Sequence, residues 1–245
     1  MIHWLIQSFQ AHPDLASGAL PEELLSSKEI DLFSQLRKEK RQREWLLGRW
    51  TAKKLLQAIL KDTTGEYIPL SNLRIFNLQN GAPYLADRWP LSLSISHCHE
   101  YAFCAVSQGL SWSVGVDIER IEPRAPGFTK EYFTGLEIQQ VCQVPAEAHD
   151  CMLAFTWSAK EAVLKALQLG LTVDTRAVTC LAKPGIFPQH GWLPFEIRLD
   201  LTWIERCMRA RQNTFLSFDD IPCLSGWWQI RGDYVLTLVA RRITG

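Results

Sequence analysis

The sequence of 245 residues lacks the features that mark secreted and membrane-spanning proteins. No stretch approaches the run of about 18 apolar residues that a membrane-spanning helix needs. The first ten residues also lack the basic region and the long apolar region of a secretory signal. We therefore expect a cytoplasmic protein that does not bind a membrane.

The chain also lacks net charge and any C-x-x-C pair. Its 26 basic residues are balanced by 26 acidic ones, so no overall field attracts nucleic acid and charge-driven recognition has to be local. The seven cysteines are scattered and odd in number, which does not favour a disulfide framework or a zinc site. We expect reduced, mostly buried thiols.

The composition is typical of a globular protein, with 47% hydrophobic and 21% charged residues. Hydrophobic periodicity indicates helical segments followed by strands, twice over, although no residue-level repeat is convincing. The prediction is an α+β fold of two similar α/β halves, residues 1–111 and 112–245, in which antiparallel sheets pack against long helices. The predicted helical segments are 28–61, 128–141 and 147–169, and the predicted strands are 73–78, 82–86, 91–95, 101–106, 112–118, 195–201 and 234–239.

A predicted strand contains the sequence VGVDIE at residues 114–119. Because side chains alternate along a strand, Asp117 and Glu119 share one face. Two neighbouring carboxylates repel each other when both are ionised, and oxygen ligands of this kind suit Mg²⁺. An isolated D-x-E is also compatible with a solvated strand end.

A second candidate lies in a predicted helix, where residues 157–165 read WSAKEAVLK. Glu161 and Lys165 are four residues apart on one helical face, and Lys160 projects about 100° away. Taken alone, the pair could be an ordinary surface salt bridge, which contributes little to stability.

A third candidate is the Ser96-His97 step at the end of a predicted strand. A hydroxyl and an imidazole can both donate hydrogen bonds to an anion. The step lacks an aspartate partner and a nucleophile elbow, so it does not indicate a Ser-His hydrolase.

The order and spacing of these three segments resemble the Sfp-type 4′-phosphopantetheinyl transferases. The signatures of that family are a Ser-His element, an (I/V)G(I/V)D(I/V)E strand and a (F/W)(S/C)xKE(A/S)xxK helix, and this chain has SISHC, VGVDIE and WSAKEAVLK. The resemblance extends from the basic segment at 41–49 to about residue 170. It implies a pseudo-dimeric monomer that moves the phosphopantetheine group of coenzyme A onto a serine of an acyl or peptidyl carrier protein.

The resemblance also implies roles for individual residues. Asp117, Glu119 and Glu161 would bind Mg²⁺, which in turn would hold the diphosphate of coenzyme A. Glu161 would act as the general base. The phosphate oxygens would be contacted by Lys160, Lys165, Ser96 and His97, and Lys165 would stabilise the charge of the leaving group.

The nucleotide end of coenzyme A has its own candidate residues. Arg41, Arg43 and Lys40 are candidates for binding the 3′-phosphate, because guanidinium groups suit phosphate oxygens. The family commonly has Gly-Lys-Pro near the nucleotide, where this chain has Gly81, Ala82 and Pro83. The lysine of that loop is therefore absent.

The implied protein partner is an acidic, helical carrier protein. Its docking patch has three candidate residues, Phe128, Tyr132 and Phe133, although aromatic residues at helical spacing are more often part of the core.

Two other functions stay open. One is a nucleic-acid or polyanion-binding module built on the basic segment 37–54. The other is a different Mg²⁺-dependent transfer from a coenzyme A or nucleotide substrate.

Overall fold

The computed structural model describes residues 1–86, 89–109, 111–170, 173–188, 191–210 and 223–243. The chain divides into two compact units, residues 1–110 and 111–245. Each unit packs a long helix against an antiparallel sheet, so the predicted α+β class is confirmed. None of the helices in the described ranges is long and apolar enough to cross a membrane.

In the first unit, the central element is a helix of 26 residues, α3, that packs on a sheet with the strand order β1-β5-β4. The apolar face of α3 includes Ala52, Leu56 and Ile59, all buried. The helix ends at Gly65, whose left-handed conformation (φ of 74°) suits a glycine. The elements are β1 (Ile2–Ser8), α1 (Pro13–Ala16), α2 (Ser27–Ser34), α3 (Glu39–Thr64), β2 (Ile75–Asn77), β3 (Pro83–Leu85), β4 (Leu91–Cys98) and β5 (Tyr101–Gln108).

In the second unit, helix α6 packs on a five-stranded sheet with the order β6-β10-β9-β8-β7. Its core combines the inner face of α6 with Trp228 and Phe155, whose rings lie 4.4 Å apart. The elements are β6 (Trp112–Arg120), α4 (Phe128–Tyr132), α5 (Gly135–Gln143), α6 (His149–Ala166), β7 (Val178–Ala182), β8 (Leu193–Leu199), α7 (Leu201–Ala210), β9 (Leu224–Arg231) and β10 (Tyr234–Arg242).

Some elements differ from the sequence-based prediction. The single helix predicted for 128–141 is two helices, α4 and α5, because Thr134 begins a new helix by forming a capping box with Glu137. The segment predicted as a strand to residue 201 is a strand only to Leu199, and α7 begins at Leu201. The sequence pattern does not predict strands β1, β7 and β9.

The two units repeat one arrangement of strands. The first strand of each unit pairs with the last, and the last pairs with the strand before it, which gives β1-β5-β4 in one unit and β6-β10-β9 in the other. Each unit also has a short helix, α2 or α5, directly before its long helix. The repeat that the sequence does not reveal is therefore present in the topology.

A buried ion pair is repeated together with the strands. In the first unit, Glu29 lies in the first turn of α2, accepts hydrogen bonds from Ser26 and from the backbone N–H of Ile75, and pairs with Lys53 of α3 at 2.7 Å. The side chains of Glu29 and Lys53 are fully buried. Lys53 also donates to the carbonyl of Leu24.

The second unit has the same contacts. Glu137 lies in the first turn of α5 and accepts hydrogen bonds from Thr134 and from the backbone N–H of Cys180. Its partner is Lys160 of α6, at 2.8 Å, and both side chains are fully buried. Each pair thus joins the short helix, the long helix and a strand of its own unit.

The cysteines only partly follow the prediction of buried thiols. Cys104, Cys151 and Cys180 are buried, whereas Cys142 and Cys223 are exposed. Burial raises the pKa of the Cys151 thiol to about 11, so this cysteine is a poor nucleophile at neutral pH.

Candidate functional site

The site in the second unit depends on a very close contact between β6 and α6. A Cβ atom on Gly115 would lie 2.0 Å from the carbonyl oxygen of Ala162 and 2.5 Å from the backbone nitrogen of Ala166. Only glycine permits this approach of the backbones. The contact brings Glu161 and Lys165, the neighbours of these alanines along α6, beside the carboxylate of β6.

A hydroxyl contact fixes the helix against the next strand. Thr237 of β10 lies opposite Asp117 in the register of the sheet. Its Oγ1 lies 2.8 Å from Ser158 Oγ and donates to the Ser158 carbonyl of α6 at 3.0 Å. Helix α6 is therefore held on both β6 and β10 at the level of Asp117.

Three of the predicted residues meet in this place. Lys165 Nζ lies 2.6 Å from Asp117 Oδ1 and 3.4 Å from Glu161 Oε2. Asp117 is only 2% exposed, whereas the Lys165 side chain is 28% exposed. Burial alone would lower the pKa of Lys165, but Asp117 and Glu161 outweigh it and the pKa is raised.

Glu119 belongs to the same acidic cluster. Its Oε2 accepts a hydrogen bond of 2.5 Å from Arg124. Burial, with repulsion from Asp117, raises the pKa of Glu119 to about 7. The pKa of Glu161 is also raised to about 7, by burial and by repulsion from Asp117 and Glu119. Glu119 and Glu161 thus both experience the charge of Asp117.

The cluster has the chemistry of a site for a hard cation. In the described ranges, no three His, Cys, Asp or Glu side chains are arranged as a ready metal site. The ammonium group of Lys165 instead bridges Asp117 and Glu161. The donors are carboxylate oxygens, the ligand type that Mg²⁺ prefers, and the raised pKa values of Glu119 and Glu161 show that added positive charge is favoured there.

One predicted phosphate ligand, Lys160, lies elsewhere, and its prediction is wrong. Its side chain is fully buried, and its Nζ is occupied by Glu137 and by the carbonyls of Thr175 and Val178. It projects into the core of the second unit, while Glu161 projects toward Asp117. Lys160 is therefore a structural residue in this fold.

A separate cavity of about 380 Å³ lies in the first unit. It brings together four of the residues predicted to bind coenzyme A: Arg41, Gly81, Pro83 and His97. Arg41 Nη1 lies 3.3 Å from His97 Nε2. Sequence reasoning does not single out the other polar and aromatic residues of its lining, which are Trp45, Arg49 and Asn77.

The remaining predicted residues lie outside this cavity. Ser96 is buried and points to the opposite face of β4 from His97. Lys40 is exposed and pairs with Glu44, and Arg43 donates to the carbonyl of Ala16. The lining residues of the cavity do not include these three.

The predicted docking patch is only partly at the surface. Phe133 is 2% exposed and belongs to the core. Phe128 and Tyr132 are half-buried and pack against Trp157, with ring centroids 5.3 and 5.0 Å from it. The patch therefore consists at most of Phe128, Tyr132 and Trp157.

The basic segment 37–54 is not a continuous charged surface. Lys53 is fully buried and Arg49 is 5% exposed. A polyanion-binding face needs accessible cations along its length. These two cations are therefore not accessible to a polyanion.

Comparisons with known proteins agree with the geometry. The family model of the 4′-phosphopantetheinyl transferase superfamily matches residues 113–238, just over half of the chain. The model of the 4′-phosphopantetheinyl transferase N-terminal domain matches residues 32–107. The two matches cover the acidic cluster and the cavity, respectively.

Individual relatives are more distant. The chain is 26% identical over 112 residues to the 4′-phosphopantetheinyl transferase psf-1 of Bacillus pumilus, covering 46% of this chain and 47% of that protein. It is 27% identical over 154 residues to 4′-phosphopantetheinyl transferase HetI of Nostoc, covering 60% and 61%. The matched stretches thus span about half to three fifths of these relatives.

Similar solved structures include an ACPS-CoA complex of Chronobacterium ammoniagenes, with 19% sequence identity and a TM-score of 0.41 over 55% of this chain and 98% of that one. Among sequences, a holo-[acyl-carrier-protein] synthase of Staphylococcus carnosus is 30% identical over 84 residues, 34% of this chain and 72% of that protein. Because the superfamily model matches more than half of this chain, the chain belongs to the 4′-phosphopantetheinyl transferase superfamily.

Proposed function

We propose that this protein transfers the 4′-phosphopantetheine group of coenzyme A to a serine of an acyl or peptidyl carrier protein, with release of 3′,5′-ADP. The observation that carries the proposal is the meeting of Asp117, Glu161 and Lys165 between β6 and α6, in a chain of this superfamily. The alternative of a strand end that is merely solvated does not explain the close backbone contact of Gly115 with α6, which brings the strand against a buried helix.

In the proposed reaction, the hydroxyl oxygen of the carrier serine attacks the β-phosphorus of the coenzyme A diphosphate. A new P–O bond forms to the carrier, and the bond to the oxygen of the departing 3′,5′-ADP breaks. Glu161 takes the serine proton, directly or through water.

Asp117, Glu119 and Glu161 would hold Mg²⁺. When bound, the ion would neutralise charge on the diphosphate oxygens. Lys165 would contact a phosphate oxygen, and its raised pKa keeps the ammonium charged for this contact. Arg124, through its hydrogen bond to Glu119, would orient that carboxylate.

The cavity of the first unit would receive the nucleotide end of coenzyme A. Arg41 and His97 offer donors for phosphate oxygens, and Trp45 offers a ring face. Lys40 and Arg43, which the sequence also favours, have other contacts. We retain Arg41 as the candidate of these three for the 3′-phosphate.

We further propose that the partner is an acidic carrier protein and that the enzyme acts as a cytoplasmic monomer. The monomer is supported by the two matched family models, because one model matches each unit and both units belong to one chain. The half-buried rings of Phe128, Tyr132 and Trp157 would contribute to docking. Sedimentation of the purified protein should show the mass of one chain.

The test is incubation of the purified protein with an apo-carrier, coenzyme A and Mg²⁺, followed by mass spectrometry of the carrier. The expected increase is about 340 Da, the approximate mass of the transferred group. A carrier with alanine in place of the acceptor serine is the matched control and should show no increase. If several apo-carriers of fatty acid and peptide synthesis all stayed unmodified, the proposed activity would be wrong.

A further inference from the structure

Arg124 contacts two clusters of the second unit at once. It lies between β6 and α4, and its Nη2 donates to Glu119 Oε2 of the acidic cluster at 2.5 Å. Its guanidinium carbon lies 5.5 Å from the centre of the Phe128 ring, which belongs to the docking patch. A guanidinium group can make both contacts, because it donates in its plane and stacks on aromatic rings. One side chain therefore joins a carboxylate of the candidate site to the docking patch.

A second connection runs through helix α6. The rings of Phe128 and Trp157 lie 5.3 Å apart, and Trp157 is one turn before Glu161 on α6. Residues four apart on a helix lie on the same side of it, so this ring and this carboxylate are neighbours. Two carboxylates of the acidic cluster are thus connected to the docking patch, Glu119 through Arg124 and Glu161 through α6.

The guanidinium group of Arg124 has unused donors. Only its Nη2 donates to an acceptor within the described residues, and its buried Nε has no acceptor there. The side chain is 18% exposed, so part of it can be reached from solvent. Because a guanidinium group carries five N–H donors, it can hold a second carboxylate besides Glu119. Arg124 can therefore bind an acidic group of a partner.

The charges of the acidic cluster indicate when such a partner is favoured. Three carboxylates face two cations, so the cluster with every group ionised has one net negative charge; the groups are Asp117, Glu119, Glu161, Lys165 and Arg124. A divalent cation would make the net charge positive. When that cation shares the carboxylate of Glu119, the charge of Arg124 is less compensated and is repelled by the cation. A further carboxylate beside Arg124 would relieve this repulsion.

We propose that Arg124 is a positioning residue that couples cation binding at the acidic cluster to docking of the acidic carrier. Cation binding at Glu119 leaves the charge of Arg124 available for a carboxylate of the carrier, and that carboxylate in turn offsets the repulsion of the cation. This inference rests on the proposed function, which supplies both the divalent cation and the carrier. Because binding free energies are linked, each ligand should raise the affinity for the other by the same factor.

The experiment measures binding without turnover. The probe is a fluorescently labelled carrier with alanine in place of the acceptor serine, and coenzyme A is left out. Its dissociation constant is measured at pH 8 with Mg²⁺ and with a chelator, at equal ionic strength, because screening alone weakens contacts between charges. In the wild type, Mg²⁺ should tighten carrier binding by about fivefold or more, as is typical of coupled sites.

Substitutions of Arg124 should change this ratio. Arg124→Met removes the charge, so its two dissociation constants should differ by less than about twofold. Arg124→Lys should keep part of the wild-type ratio, because it keeps the charge and loses the fork. Calorimetry of Mg²⁺ binding with and without the carrier gives the reciprocal measurement, and Arg124→Met should lose the effect of the carrier on it.

Arg120→Met is the matched control. Arg120 is exposed at the end of β6, and this variant loses the same charge. Carrier binding should weaken equally with Mg²⁺ and with chelator, so the wild-type ratio should be kept. A merely structural role of Arg124 would lower the unfolding midpoint and weaken binding equally in both conditions, which would also leave the ratio unchanged.

The outcomes separate the two proposals. If the wild type transfers the group but binds the carrier equally well with Mg²⁺ and with chelator, no coupling exists and the inference is wrong. The inference is also wrong if Arg124→Met keeps the wild-type ratio, or if Arg120→Met loses as much of it. A wild type that transfers no group to any carrier would overturn the proposed function, and the inference with it.

Discussion

The two units have the same buried ion pair but differ at the residues beside it. The residue after the buried lysine is Lys54 in the first unit and Glu161 in the second, and the residue one turn before it is Arg49 in the first and Thr156 in the second. The pair itself joins two helices and a strand in both units. The comparison indicates that the buried pair maintains the fold in both units, whereas the residues beside it, which include the proposed site residue Glu161, differ between them.

The largest effect should come from the contact that only the second unit has. Gly115→Ala would place a methyl group 2.0 Å from a backbone oxygen of α6, so the backbones would have to separate. We expect a loss of more than about 4 kcal/mol in the free energy of unfolding, measured by urea denaturation.

Gly48 provides the matched control in the first unit. Its added Cβ would lie 3.3 Å from a methyl carbon of Ile95. In Gly48→Ala this crowding opposes a gain in helix propensity of about 1 kcal/mol, so the net change should be within about 1 kcal/mol. Similar results for both variants would contradict the close packing of β6 and α6.

The ion pairs should differ in how much each depends on its lysine. Lys160→Met leaves Glu137 as a buried charge without a cation and should cost about 3–5 kcal/mol of unfolding free energy. Lys53→Met should cost less, because Arg49 remains 3.9 Å from Glu29.

Replacing both partners, Glu137→Gln with Lys160→Met, should recover much of the lost stability, because it removes the uncompensated charge. The measurement is again denaturant unfolding. Equal costs for Lys53→Met and Lys160→Met would show that Arg49 does not compensate Glu29.

Activity should depend on Asp117 and Glu161 in the second unit. It should not depend on Lys54, which follows the buried lysine of the first unit as Glu161 follows that of the second. Asp117→Asn and Glu161→Gln should each lower kcat/KM for transfer by about a hundredfold or more, with the fold retained. Lys54→Gln is the comparator and should change it by less than about threefold. Full activity in either acid variant would remove that residue from the mechanism.

The smallest effect concerns pH. The pKa values of Glu119 and Glu161 are raised from 4.5 to about 7 in the folded protein. The folded state then binds protons more tightly than the unfolded state, so these groups lower stability as pH rises from about 4.5 to about 7.

In the proposed function Mg²⁺ binds these carboxylates, so added Mg²⁺ should compete with the protons and raise the unfolding temperature by a few degrees at pH 8 and by little at pH 5.5. Thermal scans of the chelator-treated protein with and without Mg²⁺ measure the difference. Asp117→Asn should reduce the shift at pH 8. A larger shift at pH 5.5 than at pH 8 would contradict competition between the metal ion and protons.

Local rules are sufficient for part of the site. Strand alternation places Asp117 and Glu119 together, and helix periodicity places Glu161 beside Lys165, because both rules act within one element. Strand β1 escapes such rules because its partner β5 lies far along the chain, with Ser8 opposite Tyr101. Strands β7 and β9 pair with the strands that follow them, β8 and β10, so distance along the chain does not explain why the pattern missed them.

The role of Lys160 cannot be read from the helix. Which face of α6 meets the core is decided by Glu137 on another helix and by the carbonyls of Thr175 and Val178. A signal is nevertheless present, since Ser26-x-x-Glu29 and Thr134-x-x-Glu137 are both capping boxes, each followed by a lysine 24 or 23 residues later. The spacing can be interpreted as a buried ion pair only when the contacts in both units are known.

The repeated strand order also bears on how such a chain can evolve. Two copies of one unit within a single gene can change independently, whereas a protein assembled from identical subunits receives every substitution in each copy. In this chain the cavity lies in one copy and the acidic cluster in the other. Selection on the cavity and selection on the acidic cluster can therefore act on different halves of the gene.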